Sequence, residues 1–389
     1  MSRRVGPVLL STVAREWARI GVLGFGGPPA HITMLRATCV DRRAWLTPTE
    51  FEDGVAATNL LPGPASTQLA IFCAWRIAGV PGALVGGIAF IGPGLALIIG
   101  LAAAFLASNP PTGVLGAAAG AGAAVPAVAL AAALALLPAS WARTGSVRHA
   151  KGRWIAYVVT GAGVAAAAGP YLVLAIAVSG LIEIAAKRSP GLPTARRASL
   201  ALIAPLHAAA LGGLAAVAWV AFKVGALSYG GGFVIVPLMQ HDAVSLYHWM
   251  TPTQFLGAVA LGQLTPGPVV HTVAVVGYAS SGLSGALVAA ALAFAPSFLF
   301  VLLFAPHFDR LRASTRAQSF LTGAGACAIG SIAGASIPLA LALVAWWQLA
   351  VLAVAALWLL GLRRGTVPCL VGAAAIGAIA AAAGAPISH

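Results

Sequence analysis

Charged residues are scarce in this sequence, and acidic residues are the scarcest of all. Only 8% of the 389 residues are charged, with 8 acidic and 22 basic side chains, for a formal net charge of +14. A soluble domain carries about 25% charged residues, so too little polar surface is available here for a soluble globule. Disorder is excluded because 60% of the residues are hydrophobic. A nucleic-acid binder of this charge would be far more polar.

Signs of catalytic or metal chemistry are also missing. The four cysteines form no CxxC pair and have no histidine at metal-ligand spacing, so they are predicted to be core residues. No nucleophilic triad and no phosphate-binding loop is visible, so we predict no enzyme, no catalytic residue, no metal and no cofactor. What remains is a polytopic α-helical membrane protein with room for about ten spans. The 46 glycines and 25 prolines predict broken or closely packed helices.

The sequence repeats itself with a shift of 204 positions. The repeat aligns Thr47-Pro48-Thr49 with Thr251-Pro252-Thr253 and Pro62-Gly63-Pro64 with Pro266-Gly267-Pro268, and it places Gly21, Gly26 and Gly27 on Gly225, Gly230 and Gly231. We therefore predict two homologous domains, at residues 1–187 and 212–389. Residues 188–211 would form a basic linker and the start of a connecting transmembrane helix.

Matching loops of the two halves carry opposite charge. The loop after the first glycine motif holds Arg36, Arg42 and Arg43, whereas residues 240–251 contain no lysine or arginine. The next long loop is uncharged at 108–112, but its counterpart holds Arg310, Arg312 and Arg316. Because short cytoplasmic loops collect basic residues, the halves are predicted to lie in the membrane with opposite orientations. Such an inverted-topology repeat is typical of secondary transporters.

This charge pattern also predicts the location of the protein. It is expected to be a multi-pass protein of the cytoplasmic (inner) membrane, with its N-terminus cytoplasmic and its C-terminus external. Segments 8–36, 48–78, 212–240 and 252–280 each have a Gly/Pro break in the middle, so they are interpreted as re-entrant hairpins.

The first of these breaks is Gly24-Phe25-Gly26-Gly27-Pro28, with Ser228-Tyr229-Gly230-Gly231-Gly232 as its counterpart. It is either a packing kink or an unwound point whose backbone N–H groups face a ligand. The second break is the Pro-Gly-Pro run, followed by polar residues in the first turn of a helix. Helix N-termini favour anions, so two such ends meeting near the bilayer midplane would form an oxyanion site. The candidate binding residues at these breaks are Gly26, Gly27, Asn59, Pro62, Gly63, Ser66, Thr67, Gln68, Gly230, Gly231, Gln263, Thr265, Pro266, Gly267, His271 and Thr272.

A few ionisable residues complete the candidate site. Arg19 aligns with Lys223, and Lys223 falls on the face opposite to the other basic residues, so this pair is predicted to steer a dianion. The proton-coupling candidates are Glu50, Glu52, Asp53 and His271. The three acids could instead compensate a helix dipole, and the histidine could be structural. Asp41, Asp242 and Asp309 are expected to be solvated in loops.

The Phe-Gly-Gly-Pro and Leu-Pro-Gly-Pro-Ala-Ser-Thr-Gln runs of the first half resemble the chromate ion transporter family. The Tyr-Gly-Gly-Gly and Thr-Pro-Gly-Pro runs resemble its second domain, so the chain is similar to the long, two-domain type. The resemblance implies a transporter that exports chromate and confers resistance, with sulfate as a related anion. Gly232 stands where the first half has Pro28, so the two breaks are not equivalent.

We therefore expect an inverted-repeat carrier of chromate that works by alternating access. Its expected partners are chromate or sulfate and the lipid bilayer, with a homodimer as a candidate assembly and no nucleic acid. The alternatives are a transporter of sulfate or another oxyanion with the same fold, an anion channel, and a membrane-embedded enzyme acting on a lipid head group. The enzyme would need a catalytic carboxylate or nucleophile in a cavity, and the sequence offers few acids.

Overall fold

A computed structural model of the chain describes residues 8–59, 61–145, 148–167, 171–187, 212–228, 235–308 and 313–387. The predicted linker at 188–211, the glycines Gly230 and Gly231, and the loop residues Arg310 and Arg312 lie outside the described residues. Every regular element within the described ranges is a helix.

Fourteen α-helices follow one another along the described chain. The first half contains α1 (Leu10–Leu23), α2 (Pro28–Arg36), α3 (Pro48–Thr58), α4 (Ala65–Phe105), α5 (Thr112–Ala142), α6 (Arg148–Ala167) and α7 (Leu172–Ala186). The second contains α8 (Gly213–Leu227), α9 (Ile235–Gln240), α10 (Pro252–Leu264), α11 (Thr272–Phe304), α12 (Thr315–Leu341), α13 (Trp346–Ala356) and α14 (Thr366–Ala382). Helices α2 and α9 continue as π-helical turns at Ala37–Arg42 and His241–Leu246.

Within the described ranges, four segments are long and apolar enough to cross a membrane: α4, α5, α12, and α11 together with the short turn before it. Four shorter apolar helical segments accompany them, at Leu172–Ala186, Gly213–Leu227, Trp346–Gly361 and Thr366–Ala382. The expectation of a polytopic helical membrane protein is thereby confirmed.

The two halves share local geometry at matching positions of the repeat. Thr47 and Thr251 each begin a helix with a capping box, closed by Glu50 in the first half and by Gln254 in the second. The long helices α4 and α11 are both broken at a glycine of positive φ. In α4 this is Gly79, with φ 64°, and in α11 it is Gly282, 203 positions later, with φ 61°. The predicted duplication is confirmed in three dimensions.

The halves are intertwined rather than side by side. Helix α5 of the first half packs against α13 and α14, and its counterpart α12 packs against α6 and α7. Small residues allow this close approach: a Cβ on Gly120 would collide with the carbonyl of Ala373, and one on Gly330 with that of Val158. Helix–helix packing in membranes depends on such small residues, because lipid tails offer no hydrophobic drive to association.

Candidate functional site

The two Pro-Gly-Pro runs form sharp tips between broken helices. Helix α3 ends at Thr58, and α4 begins at Ala65. In between, Gly63 has φ 122°, and the amide of Gln68 reaches back to donate to the carbonyl of Pro62 at 2.6 Å. In the second half Gly267 has φ 99°, and a short turn at Val269–His271 leads into α11. Only glycine adopts such φ values readily, so the sequence itself imposes both tips.

Each tip is bound to the glycine break of the other half. The N–H of Gly63 donates to the carbonyl of Ser228 at 2.6 Å, and the N–H of Gly267 donates to the carbonyl of Gly24 at 3.0 Å. Reciprocal contacts of this kind relate two bodies by a two-fold axis. Inverted-topology repeats have such an axis in the membrane plane, so the predicted fold class agrees with the contacts. These two N–H groups are thus engaged by backbone carbonyls.

A buried histidine links the two tips. His31 is fully buried, with Nε2 2.9 Å from the carbonyl of Gly24 and Nδ1 3.1 Å from the hydroxyl of Ser66. A carbonyl can only accept, so Nε2–H donates to Gly24, and in the neutral ring Nδ1 accepts from Ser66. Ser66 lies in the first turn of α4, and Gly24 also accepts from the second tip. The two tips therefore meet, as the duplicated motif predicts.

Several buried polar atoms near these tips have no hydrogen-bond partner in the described part of the chain. They are Oγ1 of Thr67, Oε1 of Gln68, Oγ of Ser228, Nε2 of Gln263 and Oγ of Ser297. The ring of His271 is also buried, and it has the backbone of Ile91 as a polar neighbour. Buried polar groups are almost always paired, because an unpaired one costs about 1–3 kcal/mol. Such a concentration beside two helix ends is typical of a site for a polar ligand or for water.

The sequence motif identified most of these orphan groups and missed two. Thr67, Gln68 and Gln263 lie beside the duplicated run, whereas Ser228 and Ser297 were not among the candidates. Ser228 opens the second glycine motif, so its position was a usable signal. Ser297 is the counterpart of Gly94, which lies directly against the carbonyl of Pro266. The alignment gives this correspondence, but its meaning for the site became visible only with the packing of Gly94.

Other candidates lie in less suitable surroundings. Thr265 and Thr272 donate their hydroxyl groups to carbonyls of their own helices, at 3.4 and 2.9 Å. Asn59 and Pro62 are exposed at the first tip, whereas Thr265 and Pro266 are buried at the second. At the first break, Gly26 is exposed and Gly27 is half-buried.

The two aligned basic residues have different environments. Arg19 is exposed and makes no ion pair within the described residues. The ammonium group of Lys223 donates to the carboxylate of Asp242 at 2.7 Å, and the side chain of Asp242 is only 4% exposed. The expectation that Asp242 is solvated is therefore wrong. A π-helical turn folds it back onto α8, where burial raises its pKa although the ammonium of Lys223 opposes the shift.

The three acids at the start of α3 also differ from one another. Glu50 closes the capping box of Thr47 and pairs with Arg76. The N–H of Thr47, and then the Arg76 guanidinium, hold the pKa of Glu50 below its ordinary value in spite of partial burial. Glu52 pairs with Arg36 at 3.2 Å and is 66% exposed, and Asp53 is exposed beside it. No group of three or more potential metal ligands occurs in the described ranges.

Comparison with known proteins places this architecture in one family. The family model described as "Chromate transporter" matches residues 11–184 and 215–383, one match for each half. A chromate transport protein of Cupriavidus metallidurans is 34% identical over 381 residues, covering 95% of this chain and 93% of its own length. A chromate transport protein of Pseudomonas aeruginosa is 28% identical over 350 residues, covering 86% and 82%. No solved structure matches the chain. The chain belongs to the chromate transporter family.

Proposed function

We propose that this protein exports chromate across the cytoplasmic membrane by alternating access and thereby confers chromate resistance. The observation that carries the proposal is the meeting of two helix-end tips, each bound to the break of the other half, beside unpaired buried polar atoms. Two relatives named for chromate transport, aligned over most of their length, support chromate as the anion. The family and the apolar helices support a multi-pass membrane location, and the N-terminus is proposed to be cytoplasmic and the C-terminus external.

The proposed binding chemistry uses neutral donors. Chromate is a tetrahedral dianion without apolar parts, so it needs several N–H or O–H donors around it. The hydroxyl of Thr67 and the amide of Gln263 are buried and unpaired, and either ring nitrogen of His271 can carry a proton. The N-terminal ends of α4 and α11 add a favourable dipole. Arg19 is proposed to raise the positive potential at the first half.

Sulfate has the same charge and shape, so a sulfate carrier is the alternative, and an anion channel is a second one. In a channel no conformational exchange is needed, and flux would not saturate at low anion concentration. The test is flux of chromate and of labelled sulfate into proteoliposomes containing the purified protein. Saturable chromate flux that exceeds sulfate flux supports the proposal; the reverse preference identifies a sulfate carrier.

Site variants test the location of the anion. We expect Thr67→Val and Gln263→Leu each to lower chromate flux at low chromate by roughly tenfold or more, since a hydrogen bond to a charged group contributes about 1.5–3 kcal/mol. Thr33→Val is the matched control, because the exposed hydroxyl of Thr33 only donates to its own helix at 2.9 Å. If Thr67→Val and Gln263→Leu transport like the control, the anion binds elsewhere.

A further inference from the structure

The two matching hairpins of the protein adopt different packing. Helix α10 packs against α5, α14, α4 and α9, and every residue from Phe255 to Gly262 is buried. Its counterpart α3 packs against α4, and it makes no comparable contact with α12, the counterpart of α5. Both α3 and α12 lie wholly within the described residues. The difference is therefore one between a closed second hairpin and an open first hairpin.

The closed interface is apolar at the positions where the open hairpin is acidic. Leu256 packs against Gly122 of α5, and Gly257 lies against the ring of Phe105. The residues of α3 at the same positions are Glu52 and Asp53, 204 positions earlier, and both are exposed. Glu52 and Asp53 would enter the interface if α3 closed in the way that α10 does, whereas Gln254, the counterpart of Glu50, lies at its edge beside Phe105 and Leu115.

The rings around the open hairpin fit this interpretation. Phe308 is the counterpart of Phe105, but it packs against Phe72 of α4 with ring centroids 5.4 Å apart. Phe72 in turn lies against Gly54 of α3. Gly257 of α10 thus lies beside Phe105. The helix α3 does not lie in the same way beside Phe308. At the first tip Asn59 and Pro62 are exposed.

Two homologous halves in different conformations can exchange them, and alternating access in repeat carriers is movement of one such unit against the other. Resting on the proposed function, we propose that α3 closes onto α12 in the other state of the transporter, and that Glu52 and Asp53 each bind a proton when it closes. Each carboxylate takes H⁺ from the water on the open side and becomes a neutral carboxyl group. On reopening it returns that proton to the water.

The charges that face this region explain why protons are needed. In the open state Glu52 is paired with Arg36 of α2, while Arg76 of α4 is held by Glu50. The only basic residue of α12 is the exposed Arg316 in its first turn, and residues 323–341 carry no charge. A carboxylate buried against residues 323–341 would meet no charged side chain of α12 there, and burial strongly favours the neutral form. Glu50 stays in its capping box and is not expected to take part.

Labelling of a single introduced cysteine tests the proposal without any substrate. Ala56 is half-buried, and its counterpart Ala260 is fully buried, so Ala56→Cys reports closure of α3. The four native cysteines are buried and add little background. The rate at which Ala56→Cys reacts with a membrane-impermeant maleimide is divided by the rate for Asp41→Cys. Asp41 is exposed, so this reference corrects for the intrinsic pH dependence of the thiol reaction.

We expect the ratio of the two labelling rates to fall roughly tenfold when the pH is lowered from about 8 to about 5. This range covers the alkaline side of carboxyl titration. In the background Glu52→Gln with Asp53→Asn, both amides are permanently neutral, so the ratio should be low at both pH values. Glu50→Gln is the matched control and should behave like the parent. A parent ratio that does not change with pH, or a double-amide variant that keeps the parent's pH dependence, would overturn the proposal. Failure of chromate transport alone would leave this labelling result intact.

Discussion

At the level of single residues, the two halves hold their first hairpins together with ion pairs of opposite polarity. In the first half the acid is on α1, where Glu16 is bound by Arg42 and Arg43 from the π-helical turn. In the second half the base is on α8, where Lys223 binds Asp242 from the matching turn. The two pairs use different positions of the repeat, since the counterpart of Glu16 is Val220 and that of Asp242 is Thr38. Each pair joins the first helix of its half to the π-helical turn, which is a structural role.

We therefore expect Lys223→Ala to act mainly through stability. It leaves Asp242 buried without its ammonium partner, which should lower the free energy of unfolding by about 3 kcal/mol. The double variant Lys223→Met with Asp242→Asn removes both charges and should recover much of that loss. Thermal unfolding in detergent, followed by tryptophan fluorescence, measures both effects. A double variant that is stable but has lost chromate flux would instead assign Lys223 to the anion.

The sequence predicted the unusual position of Lys223 but not its partner. Loop charge and alignment together predict that this lysine lies on the face opposite the other basic residues, and this stays a prediction. Asp242 lies 19 residues away, and only the π-helical turn at His241–Leu246 brings it back to α8. No local pattern distinguishes a π-helical turn from the end of an α-helix. The same limit applies to His31, whose link to Ser66 depends on how α2 is placed against α4.

At the level of elements, the start of α3 shows how one helix end can be preserved by different residues. The capping box of α3 uses Glu50, and that of α10 uses Gln254 at the same position. An amide therefore satisfies the geometry of this cap as well as a carboxylate does. The hairpins predicted at 48–78 and 252–280 begin where these two helices begin, and the sequence left open whether the acids serve the helix dipole or a proton.

This helix cap leads to a prediction about pH. The folded-state pKa of Glu50 lies below the ordinary value of 4.5, so its stabilisation is complete above that value and is lost as the pH falls through the folded-state pKa. Glu50→Gln should keep the neutral-pH melting temperature within a degree or two, since an exposed ion pair contributes only about 0–1 kcal/mol. It should also melt with less dependence on acid pH than the parent. Glu50→Ala loses the cap and should cost about 1 kcal/mol. Equal melting of Glu50→Gln and Glu50→Ala would contradict this role.

At the level of the whole molecule, the duplication predicted the parts but not their arrangement. Composition, repeat and loop charge were sufficient for a helical protein of two broken-helix halves. They could not show that α5 packs against α13 and α14 while α12 packs against α6 and α7. Helix α5 is almost entirely apolar and rich in small residues, so no face of it marks its partner in the sequence.

The orientation of the two halves leads to a test on intact cells. Asn109 and Ala313 are exposed in matching loops, before α5 and before α12. If the halves are inverted, Asn109→Cys should react with an impermeant maleimide added outside intact cells, and Ala313→Cys only after the membrane is opened. The reciprocal bonds of Gly63 and Gly267 require a two-fold axis but do not orient it. Reaction of both cysteines from the same side would place that axis along the membrane normal. The two tips would then face the same compartment, and exchange between α3 and α10 could not move an anion across the membrane.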